Sequence, residues 1–132
     1  MSKELIIKFL NGSECRGHLF QTFDPEAAGV EIFRPGDDRP VPYPFEAICF
    51  VKLYDDPGKD VRDHSVIEDL RTATGETFRL LVNREERFNK GVFAYPEEPG
   101  ADFTRIFFTR RGLKTSNGWI APSERCCCNK GR

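Results

Sequence analysis

The chain has 132 residues, with 20 basic and 21 acidic side chains and a net charge of −1. That balance removes the overall basic excess by which dedicated nucleic-acid binders neutralise phosphates, and leaves only a local patch for such a role. A hydrophobic fraction of 39% is too high for a disordered chain, and the length suits one domain or two very small ones. No apolar run approaches the roughly 18 residues of a membrane-spanning helix. The N-terminal stretch is only briefly apolar and runs into a turn without a small-residue cleavage site, so no secretory signal is read and the cytoplasm is the expected location.

The first strong signal is Leu5-Ile6-Ile7-Lys8-Phe9-Leu10, then Asn11-Gly12, then Glu14-Cys15-Arg16-Gly17-His18-Leu19-Phe20. Asn-Gly between apolar runs predicts a hairpin, because both turn residues tolerate positive φ. Gly29-Val30-Glu31-Ile32-Phe33 is a further strand, and Pro35-Gly36-Asp37-Asp38-Arg39-Pro40 a turn. Pro42 and Pro44 make the next stretch edge-like or extended. Ala47-Ile48-Cys49-Phe50-Val51-Lys52-Leu53 is nearly all apolar, as a buried strand should be.

The charged stretch 55–65 is the expected linker between a first β-unit, 1–54, and a second, 66–114; 115–132 is read as a tail, disordered in part. In the second unit, Val66 to Arg71 and Thr77 to Val82 flank Thr74-Gly75. Gly91-Val92-Phe93-Ala94-Tyr95 follows, then Thr104-Arg105-Ile106-Phe107-Phe108-Thr109. Helix is scarce: Pro25 to Ala28 and Arg84 to Phe88 are each long enough for one turn only. The class is therefore all-β and mainly antiparallel, in two related small β-barrel or sandwich halves that can pack as one domain. Asn11-Gly12 aligns with Thr74-Gly75, Gly29-Val30 with Gly91-Val92, and Ile48-Cys49-Phe50 with Ile106-Phe107-Phe108, which reads as an internal duplication. Twelve Phe against three Tyr and one Trp argue for a dense core, with Ile48, Phe50, Phe78 and Phe107 among its members.

Chemistry-bearing motifs are few. His18 and His64 are the only histidines, Ser13 and Ser65 have no nucleophile setting, and no G-x-S-x-G, P-loop, G-x-G-x-x-G or H-E-x-x-H occurs. Asp37-Asp38, Asp55-Asp56 and Glu97-Glu98 sit beside Pro or Gly, as solvated turns do. Cys15 and Cys49 read as small buried hydrophobes. Cys126-Cys127-Cys128 lacks the spacing of a structural zinc site, so no metal and no cofactor is expected.

The opening strand, Asn11-Gly12, Gly17, Leu19 and Phe23-Asp24 follow a rhythm that resembles the Sm-like small barrel over about thirty residues. That family's RNA-contacting Asn has no counterpart, since Ala27 and Ala28 stand there, and Cys49-Phe50 replaces the Arg-Gly of its second motif. The resemblance implies the barrel and not the RNA site. A PilZ-type cyclic-dinucleotide site is not supported, because Arg105 and Arg110 are wrongly spaced and D/N-x-S-x-x-G is missing. With its opening strand-turn-strand, Ala47-Ile48-Cys49-Phe50-Val51-Lys52, Phe93-Ala94-Tyr95-Pro96 and Arg105-Ile106-Phe107-Phe108, the chain resembles, over most of 5–110, uncharacterised bacterial small-β-barrel domains that occur alone or fused to signalling modules and to secretion or type IV pilus ATPases. That similarity implies an accessory or regulatory module.

The expected function is a non-enzymatic binding or regulatory adaptor module that acts through a protein partner. The alternative is a nucleotide (cyclic dinucleotide) or RNA binder. Arg105, Arg110, Arg111 and Lys114 are the candidate ligand or partner surface, with Phe107 and Phe108 as stacking platforms if exposed. On a strand, Arg105 and Phe107 should share one face, and Ile106, Phe108 and Arg110 the other.

Overall fold

In the computed structural model, which describes residues 4–54, 65–97 and 103–115, ten strands form one antiparallel sheet. The first half supplies β1 (Glu4–Phe9), β2 (Glu14–Leu19), β3 (Gly29–Phe33), β4 (Val41–Pro44), a 3-10 turn at Phe45–Ala47, and β5 (Ile48–Leu53). The second supplies β6 (Ser65–Thr72), β7 (Thr77–Phe88), β8 (Gly91–Tyr95), β9 (Arg105–Thr109) and β10 (Leu113–Thr115). No helix among the described residues is long and apolar enough to cross a membrane.

The sheet order is β10-β6-β7-β8-β9-β5-β1-β2-β3-β4. Each half therefore runs fifth, first, second, third, fourth, and the halves join where β9 pairs with β5. Equivalence extends to single hydrogen bonds. In the first hairpin the Gly12 N–H donates to the Phe9 carbonyl and the Phe9 N–H to the Ser13 carbonyl; in the other, Gly75 donates to Thr72 and Thr72 to Glu76. Gly12 and Gly75 both have positive φ, 93° and 99°, which is what this turn asks of its glycine. The Leu10 N–H reaches the Ala47 carbonyl as that of Ala73 reaches Gly112. One extra residue bulges from the fifth strand at the same point in both halves, Cys49 in one and Lys114 in the other.

Strand position corrects one expected alignment. Ile106, Phe107 and Phe108 occupy the fourth strand of their half and correspond to Val41, Pro42 and Tyr43; Ile48 corresponds to Leu113. A continuous apolar run marks burial on both faces, which β5 and β9 share, and not a place in the strand order. The expected helical turn at Arg84 to Phe88 is also absent: these residues extend β7. Between Val82 and Arg87 this strand carries three more residues than β8 opposite, a broad bulge.

The curled sheet carries two cores. Leu5, Ile7, Leu19, Ile32, Phe45, Val51 and Leu53 enclose the first, together with Phe93, Tyr95 and Phe107 from the second half. Leu70, Leu80, Val82, Val92, Ala94, Ile106, Phe108 and Leu113 enclose the second, together with Cys49 and Phe50 from the first half. Alternation along the strands explains the exchange: Phe93 and Tyr95 face one core, Val92 and Ala94 the other. Ile48, Phe50 and Phe107 are buried as expected, and Phe78 packs half-buried on the second core.

Candidate functional site

The expected basic surface divides into two places. Arg105 opens β9, half-buried, with its guanidinium 4.4 Å from the Phe93 ring centroid. Arg110 and Arg111 lie exposed on the turn beyond the other end of the strand, with exposed Lys114 following in β10. Five strand residues separate the two ends, about 17 Å at roughly 3.3 Å per residue. Arg105 and Phe107 do share one face, and Ile106 and Phe108 the other, but both faces are core. Phe107 and Phe108 are fully buried, so neither ring can stack on a base. His64 and Cys126, Cys127 and Cys128 lie outside the described residues. Among the described residues no group of three His, Cys, Asp or Glu side chains could hold a metal ion.

A concavity lies instead at the edge of the first half. It is a groove of about 670 Å³ between the loop after β2, the start of β3, and β4. Leu19, Phe23, Ala27, Val30, Pro42 and Tyr43 give it an apolar lining, and Asp24 and Glu31 are its charged members; no Lys, Arg or His lines it. The wall is pre-formed. Phe23 anchors the loop by ring contacts to Phe107, Phe93 and Phe45 at 5.2, 5.7 and 5.9 Å. Asp24 turns the loop by accepting the Glu26 N–H at 2.9 Å. The Tyr43 ring lies 5.1 Å from that of Phe9, and its hydroxyl 3.8 Å from the Cys15 thiol. Burial, then that thiol, raises the Tyr43 hydroxyl above its ordinary pKa, with Arg34 opposing.

The outer edge of β4 completes this wall. The Phe45 N–H donates to Ala28, toward β3. By alternation the Val41 and Tyr43 N–H groups also face β3, so Pro42 and Pro44 face outward. Proline has no N–H, and the edge therefore presents carbonyl acceptors at both positions and no donor.

Two further polar clusters are structural. At the joint between halves, burial pushes the Glu76 carboxyl up, but the Thr72 and Thr74 hydroxyls, its own backbone N–H and Lys8 together hold it down at about 2. Lys8 Nζ is 3.1 Å from Glu76 and 3.8 Å from Glu14, so it links the first hairpin to the turn between β6 and β7. In the second half the Tyr95 hydroxyl donates to Glu86 Oε1 at 2.7 Å, both side chains being buried. Burial and then Glu86 raise the Tyr95 pKa well above its usual value, with Arg105 opposing. The β7 bulge delivers Glu86 to this position.

Beyond the edge-like Pro42 and Pro44, local sequence pattern does not mark the groove. The signal lay in Phe23, an isolated Phe in a polar loop, which only tertiary packing explains. Comparison of the chain with protein-family models, with curated proteins and with solved structures finds no match.

Proposed function

We propose that the chain is a non-enzymatic binding module that acts through a protein partner, and that the groove beside β4 receives it. The carrying observation is that pre-formed groove: apolar walls that include the Tyr43 ring, two carboxylates and a rim of outward carbonyls. Asp24, Glu31 and the outward carbonyls of Pro42 and Pro44 all accept hydrogen bonds, so the complementary partner is donor-rich. An extended segment carrying Arg or Lys with an apolar residue beside it fits these terms. Because Pro42 and Pro44 cannot donate, recognition there works through side chains and not by adding a full strand to the sheet. The repeated strand order supports an origin by internal duplication.

A displayed random-peptide library panned against the whole chain tests the reading. Enrichment of basic extended peptides, lost with Ala28→Trp and with Asp24→Lys plus Glu31→Lys, is the expected result. No enrichment, or binding unchanged by all these substitutions, would sink it. The nucleotide or RNA reading rests now on Arg110, Arg111 and Lys114 alone, without an aromatic platform. Titration with cyclic dinucleotides and single-stranded RNA addresses it; saturable binding abolished by Arg110→Glu with Arg111→Glu would favour it over the peptide reading.

A further inference from the structure

The joint inside this chain is the pairing of a fifth strand with a fourth: Val51 stands opposite Phe107 and Phe50 opposite Phe108. Among the described residues, the two ends of the sheet are the other members of the same pair, a fourth strand, β4, and a fifth, β10. A second copy laid head to tail would bring its β10 to this β4 and repeat the internal joint. Such a contact is heterologous, and once made it propagates into a ring or a fibre.

The two fourth strands differ where it matters. The Arg110 N–H faces β8, donating to Lys90, so by alternation Phe107 and Thr109 face β5. Their counterparts in β4 are Pro42 and Pro44, matched by the pairing of Gly91 with Thr109 and of Gly29 with Pro44. The positions that carry N–H groups into the internal joint thus carry none at the outer edge. The rest of the β4 backbone is spent on β3. We propose that Pro42 and Pro44 close this edge to strand pairing by a second copy of the chain, and so end the array at two units. The device uses a known means of protecting sheet edges, placed at the two positions where it blocks this one joint.

The test is the variant Pro42→Val with Pro44→Thr. Both prolines are exposed, and the N–H groups that hold β4 to β3 belong to Val41, Tyr43 and Phe45, which the substitutions leave in place. Sedimentation from micromolar to millimolar concentration should show the variant rising to about twice the wild-type mass or more, as head-to-tail contacts form. Hydrogen exchange should then slow at 42–44 and 113–115 together. A folded variant with the wild-type mass throughout overturns the proposal. So does a wild-type assembly in which those two segments are protected jointly. If the double variant does not fold, Pro44→Thr alone is read by the same two measurements.

Discussion

Phe107→Ala probes the feature on which the whole fold depends, the strand buried on both faces. Phe107 belongs to the second half by sequence and to the first core by packing. It is 0% exposed and its ring meets those of Phe93, Phe23 and Phe45 at 5.1, 5.2 and 5.4 Å. Removing a buried Phe costs about 3–5 kcal/mol. Three aromatic partners, each contributing roughly 0.5–1.5 kcal/mol beyond area burial, place this site toward the upper end. Against a total stability of about 5–15 kcal/mol that is a third or more, and the melting temperature should fall by roughly 10–20 °C. Urea denaturation followed by circular dichroism gives the loss. Amide exchange at Ile32 in β3 and Leu80 in β7 shows whether both halves share it. Equal loss at both amides is expected. A cost below about 1 kcal/mol, or protection kept at Leu80 while Ile32 opens, would refute the shared core.

Glu76 gives a pH signature. Its carboxyl is held at about 2 in the folded chain and lies near 4.3 when unfolded. Its contribution is complete above the unfolded value and is lost as pH falls through that range toward 2, so Glu76→Gln should flatten the acid limb of a stability–pH curve between about 4.5 and 2; an unchanged limb contradicts the cluster. Gly91→Ala should destabilise more than Gly29→Ala when both are melted side by side. An added Cβ would lie 2.0 Å from the Phe108 carbonyl oxygen in one case and 2.1 Å from that of Tyr43 in the other, but β9 is clamped between two strands while β4 is an edge free to shift. Tyr95→Phe should lower stability by about 1–3 kcal/mol, because it removes a buried hydrogen bond to the Glu86 carboxylate; an unchanged or stabilised variant would contradict this.

Much of this fold is legible locally. Gly12 and Gly75 announce their hairpins because a tight turn between twisted strands demands positive φ. Pro42 and Pro44 announce an edge because a central strand cannot lose two donors. The rest is set at long range. Arg84-Glu85-Glu86 reads locally as a helical turn, yet pairing flanks it on both sides and β7 continues through it. The contact of Lys8 with Glu76 joins two hairpins that no local pattern relates. Ile106-Phe107-Phe108 shows burial in its composition, but not that its side chains go to different cores. The groove escapes for the same reason, since its wall exists only once Phe23 has found Phe93 and Phe107. The basic residues were visible as types, but the length of β9 between Arg105 and Arg110 separates them.

The exchange of strands between cores also orders events during synthesis. When residues as far as Leu53 have left the ribosome, Leu5, Ile7, Ile32 and Ile48 are present but Phe93, Tyr95 and Phe107 are not. The half made first therefore waits on the second, and it leaves the tunnel with an open apolar face that only residues of β8 and β9 cover. Translation pausing between β5 and β9 would prolong that exposure, and a chaperone that holds nascent apolar strands has its clearest opportunity in that interval.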